Sequence, residues 1–150
     1  MKPYAQTLLA TRSLDALNAL LKGEISAVET YQQALSTFGN EAPEELRSCL
    51  LSHQARVQQL TVRVYDLGGR PAEGSGVWGA FARMVEGGAA LFGRKSALSA
   101  LEEGEDHGLI QYRALLEDLD ADSRFLVEDE LLPEQLKSHD VVRNLHHVCA

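Results

Sequence analysis

Apolar residues recur every three or four positions along most of this chain. The first stripe runs through Leu14, Leu17, Leu20, Leu21, Ala27, Val28, Tyr31, Ala34 and Leu35, the spacing of an amphipathic helix. It predicts a helix from about Ser13 to Phe38, stopped by Gly39 and Asn40. A second stripe, on Leu46, Leu50, His53, Val57, Leu60, Val64 and Leu67, predicts a helix from near Glu41 to Gly68, where Gly68, Gly69 and Pro71 end it. Trp78, Phe81, Ala82, Val85, Ala89 and Phe92 are spaced for a short helix broken around Gly87 and Gly88. Leu98, Leu101, Glu105, Leu109, Tyr112 and Leu116 predict a third long helix from about Ser96 to Asp118. A fourth is expected from about Asp122 to Val148, with Pro133 either kinking it or starting its second part.

Sustained polar/apolar alternation is absent, so no sheet is expected. The links between helices one and two and between three and four are short, whereas roughly 25 residues separate two from three. That arrangement predicts an all-α antiparallel four-helix bundle of two hairpins joined by a long crossover containing the short helix, the ferritin-like connectivity. A chain of 150 residues makes one domain of this kind, spanning residues 1–150.

The two hairpins repeat a pattern. Gly23-Glu24 is followed by Tyr31 and Gly104-Glu105 by Tyr112, with the same seven-residue interval from glutamate to tyrosine. Helix two carries Leu50-Leu51-Ser52-His53 and helix four carries Leu136-Lys137-Ser138-His139. Around Glu24, positions three, four and seven residues away hold Leu17, Leu20, Leu21, Ala27, Val28 and Tyr31, so this carboxylate lies on the buried stripe. Glu105 has Leu98, Leu101, Gly108, Leu109 and Tyr112 around it, with Glu102 the exception, and His53 has Cys49, Leu50, Val57 and Leu60, with Arg56 the polar exception. His139 shares its face with Leu132, Leu136 and Val142 but also with Gln135, Arg143 and His146.

An ionised carboxylate in an apolar interior costs several kcal/mol unless it is paired. Glu24, His53, Glu105 and His139 are therefore expected to converge. Two readings of that set follow: a site for one transition-metal ion, Fe, Mn or Zn, or a metal-free network in which glutamates pair with histidines.

At these residues, and along Val77-Trp78-Gly79 through Leu91-Phe92-Gly93-Arg94-Lys95, the chain resembles small bacterial ferritin-like proteins of uncharacterised function, and it is similar in layout to demethoxyubiquinone hydroxylases. The resemblance implies that Glu24 and Glu105 are terminal carboxylate ligands and that His53 and His139 are imidazole ligands of a di-iron-type site. It also implies metal-bridging glutamates three residues before each histidine, where this chain has Leu50 and Leu136. Without them, joint activation of dioxygen by two metals loses its anchoring atoms. The expected function is thus a ferritin-like protein with a modified site, holding one metal ion for metal handling or stress protection. The alternatives are a non-catalytic structural or interaction module and, least favoured, a di-iron oxidoreductase.

Composition narrows the partners. A net charge of -8 argues against nucleic acid and anionic membrane surfaces, which call for a basic face. Cys49 and Cys149 form no CxxC pair and are read as free thiols. Gln6, Arg12, Asp15 and Lys22 interrupt the N-terminal stretch, so no integral membrane segment or signal peptide is expected and a cytoplasmic location follows. Trp78 or Phe81, if exposed, would favour a homodimer.

Overall fold

In the computed structural model, which describes residues 3–75 and 93–149, the described residues form helices and connecting turns with no strand. Helix α1 spans Pro3–Phe38, α2 Glu44–Asp66 and α3 Arg94–Leu115. The fourth long segment consists of α4 (Ala121–Leu126), a π-helical turn at Val127–Leu131 and α5 (Leu132–Cys149). The crossover helix expected around Trp78, Phe81 and Phe92 lies outside the described residues.

The helix ends follow from local chemistry. Gly39 and Gly68 take positive φ, 60° and 77°, a region that glycine enters without a Cβ penalty. At Gly68 the amide bonds to the Tyr65 carbonyl at 2.9 Å while the Gly69 amide reaches the Val64 carbonyl at 3.0 Å. This pair of bonds is the Schellman closure that satisfies the last carbonyls of a helix. Helix α1 begins ten residues before its expected start, because Pro3 suits a first helical turn and no glycine or further proline interrupts the chain before Ser13. Pro133 falls in the first turn of α5, so it starts the second part of helix four. Proline offers no amide donor to the preceding turn, and the wider π turn just upstream takes up the mismatch.

Each long helix packs against two others: α1 on α2 and α3, and α5 on α3 and α2. All four pairings are antiparallel, as cross-helix contacts at two levels show. Glu24 meets His53 on α2, while Leu14 lies over Gly69 just beyond the end of α2. Glu24 meets Tyr112 on α3, and Tyr31 meets Glu105. Asp106 pairs with His139, and Glu102 with His146. Gln59 bonds Glu130, and Ser52 bonds Glu134. It follows that α2 and α3 run parallel.

The chain leaves α2 at one end of the bundle, beside Asn18 of α1, and enters α3 at the other, beside Phe38 and Glu41. Leaving α2, the chain is held to α1 by Asn18, whose side chain bonds the Arg70 carbonyl at 3.1 Å and the Ala72 amide at 2.8 Å, and then by Ser75 on Glu29. At the other end, Arg94 pairs with Glu41 and covers the Phe38 ring.

The core has two apolar parts. One contains Leu17, Leu20, Leu21, Leu60, Val64, Leu119, Val127 and Leu131. The other contains Ala34, Phe38, Leu46, Cys49, Ala97, Leu98, Leu101 and Val142. Between them lies a layer of polar side chains, buried as deeply as the leucines: Glu24, His53, Arg56, Glu105, Gln135 and Ser138.

Candidate functional site: a buried ionic layer

Four helices contribute to this layer: α1 supplies Glu24 and Tyr31, α2 His53 and Arg56, α3 Glu105 and Tyr112, and α5 Gln135 and Ser138. The two glutamates do not meet face to face. His53 stands between them, its Nδ1 2.5 Å from Glu24 Oε2 and its Nε2 2.7 Å from Glu105 Oε1. An imidazole that donates to a carboxylate from each nitrogen is an imidazolium. Burial would push the His53 pKa down, but Glu24 and Glu105 outweigh it and hold the group above its ordinary value. The Tyr31 ring packs beside it, with centroids 5.0 Å apart.

Arg56 follows His53 by three residues and points into the same interior with 1% exposure. Its Nη1 donates to Glu24 Oε1 at 3.1 Å and, in a very short contact, to Gln135 Oε1. Nη2 donates to Ser138 Oγ at 3.1 Å. Burial opposes the Glu24 charge, yet His53 and Arg56 together hold this carboxyl below its ordinary range.

The tyrosines complete the layer crosswise. Tyr31 on α1 donates to Glu105 on α3, and Tyr112 on α3 donates to Glu24 on α1, each at 2.6 Å. Seven residues correspond to about 10 Å of helix rise, so in an antiparallel pair each tyrosine comes level with the glutamate of the opposite helix. Burial and the adjacent carboxylate push both hydroxyls well above the ordinary tyrosine range. Glu105 also accepts at Oε2 from Gln135 Nε2 at 2.9 Å and from Ser138 Oγ at 2.8 Å.

In total the two carboxylates accept seven hydrogen bonds from the chain itself. Two carboxylates offer about eight lone-pair sites, so nearly all are used. With His53 protonated the charges balance, two carboxylates against one imidazolium and one guanidinium. No buried side-chain nitrogen or oxygen among the described residues lacks a partner.

Of the four residues expected to converge, Glu24, His53 and Glu105 do so and His139 does not. His139 is turned away from the layer into the seam between α5 and α3, its Nε2 2.6 Å from Asp106. Its place inside is taken by the preceding Ser138 together with Gln135. Leu136, expected at a bridging position, is 38% exposed, and Leu50 packs against the apolar cluster around Leu46 and Cys49. Cys49 is a free, buried thiol whose pKa burial and Glu105 raise to about 11.

Three functional candidates had weak sequence signals. Arg56, Gln135 and Ser138 break the apolar faces of their helices, and a polar residue on a buried stripe is the signal that identified Glu24. Gly108 gives a further sign: a Cβ there would come within 2.7 Å of Gln135 Nε2, so this glycine makes room for the amide that bonds Glu105.

Among the described residues, no group of three or more His, Cys, Asp and Glu side chains is disposed to hold a metal ion. Both nitrogens of His53 face carboxylates, and the Arg56 guanidinium lies against Glu24 Oε1. A cavity of about 40 Å³ adjoins the layer between α1 and α3, lined in part by Gly23, Ala27, Gly104 and Gly108.

The fold and site together define an all-helical bundle with a charge-balanced ionic layer across its core. Residues 12–118 match a family described as a domain of unknown function, DUF2383, and the chain belongs to that family. The matched stretch holds both glutamates, both tyrosines, His53 and Arg56, and ends before Gln135 and Ser138. No curated protein and no solved structure matches the chain. No described helix is long and apolar enough to cross a membrane.

Proposed function

We propose that this protein is a ferritin-like four-helix module that has exchanged metal chemistry for an internal ion network, and that it serves as a non-catalytic structural or interaction protein. The observation that carries this reading is the saturation of Glu24 and Glu105 by the chain's own donors. In ferritin-like di-iron proteins, two helices each give a glutamate and two give Glu-x-x-His, all projecting inward. Here the inward pairs three residues apart are His53 with Arg56 and Gln135 with Ser138, so the two glutamates are kept and the other positions carry different chemistry. The parallel α2 and α3, with a connection that returns the length of the bundle, support the same relationship.

Metal handling is the less favoured reading, because an ion at Glu24 would compete with the Arg56 guanidinium and an ion at His53 would have to break one of its two carboxylate bonds and displace a ring proton. Hydroxylation of a quinone-sized substrate is less favoured still. The 40 Å³ cavity beside the layer is far below the roughly 300–1,000 Å³ of pockets that enclose such molecules.

The test is elemental analysis of protein purified from medium supplemented with iron, manganese and zinc, paired with thermal unfolding with and without a chelator. The proposal expects far less than one metal per chain and an unchanged melting temperature. Stoichiometric metal that disappears in Glu24→Gln would overturn it.

A further inference from the structure

We infer that Arg56 occupies a cation site built by the other helices, and that its guanidinium is the group that keeps divalent metal ions out of the bundle. The inference rests on the metal-free reading above and goes beyond it by assigning the exclusion to one side chain.

Arg56 is attached to α2, but three oxygens from other helices are directed at its head: Glu24 Oε1 from α1, and Gln135 Oε1 and Ser138 Oγ from α5. Its Nε has only a 3.4 Å contact with the Ser52 carbonyl of its own helix. A carboxylate, an amide carbonyl and a hydroxyl form an oxygen set suited to hard divalent cations such as Mn²⁺, Mg²⁺ or Ca²⁺. Ser138 and Gln135 are held in turn by Glu105, so the oxygens are fixed by bonds independent of Arg56. A buried carboxylate stripped of its cation demands another. Truncating Arg56 therefore leaves an oxygen-lined, net-negative hole inside a frame that other bonds maintain. With the guanidinium present, a metal ion meets a fixed positive charge at the only one of these groups that is itself anionic.

The experiment titrates Mn²⁺ into the full chain and into Arg56→Ala, reading bound metal by electron paramagnetic resonance and using methylguanidinium as competitor. Arg56→Ala is expected to bind one Mn²⁺ at least about tenfold more tightly than the unaltered chain. Methylguanidinium should displace that ion, and Glu24→Gln added to Arg56→Ala should abolish its binding. If Arg56→Ala is unfolded alone, either cation should restore its helical signal by binding the folded state.

A folded Arg56→Ala that takes up neither cation overturns the inference and leaves the metal-free reading intact. So does Mn²⁺ binding that Glu24→Gln leaves unchanged, and so does an unfolded variant that neither cation restores. Tight Mn²⁺ binding by the unaltered chain, lost in Glu24→Gln, overturns both.

Discussion

Tyr112 on α3 donates to Glu24 on α1 at 2.6 Å, and Tyr31 on α1 returns the bond to Glu105 on α3 at the same distance. The exchange follows from the repeat. Because the helices are antiparallel, a glutamate and tyrosine separated by two turns on one helix align with the tyrosine and glutamate of the other. His53 then spans the offset between the glutamates. Removing one hydroxyl leaves a buried carboxylate short of a donor, at a cost of about 1–3 kcal/mol. Tyr31→Phe and Tyr112→Phe should each lower stability by that amount in urea unfolding. The double variant should depart from additivity, since both act on groups joined through His53.

How far could this have been read from the chain? The stripes predict the four long helices and, apart from the start of α1, their ends to within a few residues, since glycine and proline punctuation at Gly39, Gly68 and Pro71 is local chemistry. The first turns of α1 were missed because Tyr4 and Leu8 remain exposed and so gave no stripe belonging to a core. Three of the four site residues were legible because Glu24, His53 and Glu105 sit at the centres of apolar stripes. His139 was not, for a rotational reason. Ser138 and His139 lie about 100° apart on a helix, either is compatible with Gln135 and Val142 facing inward, and a small rotation of α5 decides between them. The π turn at Val127–Leu131, which no periodicity announces, lies just upstream of that choice. Arg56 was visible as a polar intruder, yet its role depends on Gln135 and Ser138 from a helix far away in sequence.

The glycines of α3 should respond in opposite directions. At Gly104 an added Cβ meets nothing within 4 Å, whereas at Gly108 it comes within 2.7 Å of Gln135 Nε2. That amide bonds both the Glu105 backbone carbonyl and its carboxylate at 2.9 Å, so it cannot move without loosening the layer. Gly104→Ala should stabilise by up to about 1 kcal/mol through helix propensity. Gly108→Ala should destabilise by about 1–3 kcal/mol as a buried carboxylate loses a donor. Thermal unfolding of the two single variants checks both signs.

Stability should be greatest in mildly acidic solution. Burial raises the Glu24 pKa, but His53 and Arg56 lower it further, below its ordinary 4.5. A carboxyl lower in the folded than in the unfolded chain contributes fully above 4.5, and that contribution is lost as pH falls through the folded value. His53 has the opposite sign: burial lowers it, the two carboxylates raise it more, and it ends above its ordinary 6.5. Its contribution is complete below 6.5 and is lost as pH rises through the folded value. Urea midpoints should therefore be highest between those values and decline on both sides, with much of the alkaline decline absent in His53→Gln.

The two buried tyrosines offer an optical check. Burial and the carboxylates they serve push Tyr31 and Tyr112 well above the ordinary value of 10.0. In an alkaline titration followed near 295 nm, these two hydroxyls should ionise only as the helical signal collapses. Tyr31→Phe and Tyr112→Phe should each remove one unit of that late absorbance.

The central claim is that His53 is a doubly protonated imidazolium held between Glu24 and Glu105 in a metal-free core. Nitrogen NMR of imidazole-labelled protein, with the signal assigned by loss in His53→Gln, measures this directly. The account predicts protons on both Nδ1 and Nε2 at neutral pH and shifts that do not move when zinc or ferrous iron is added. One unprotonated nitrogen that shifts on stoichiometric metal addition would contradict it.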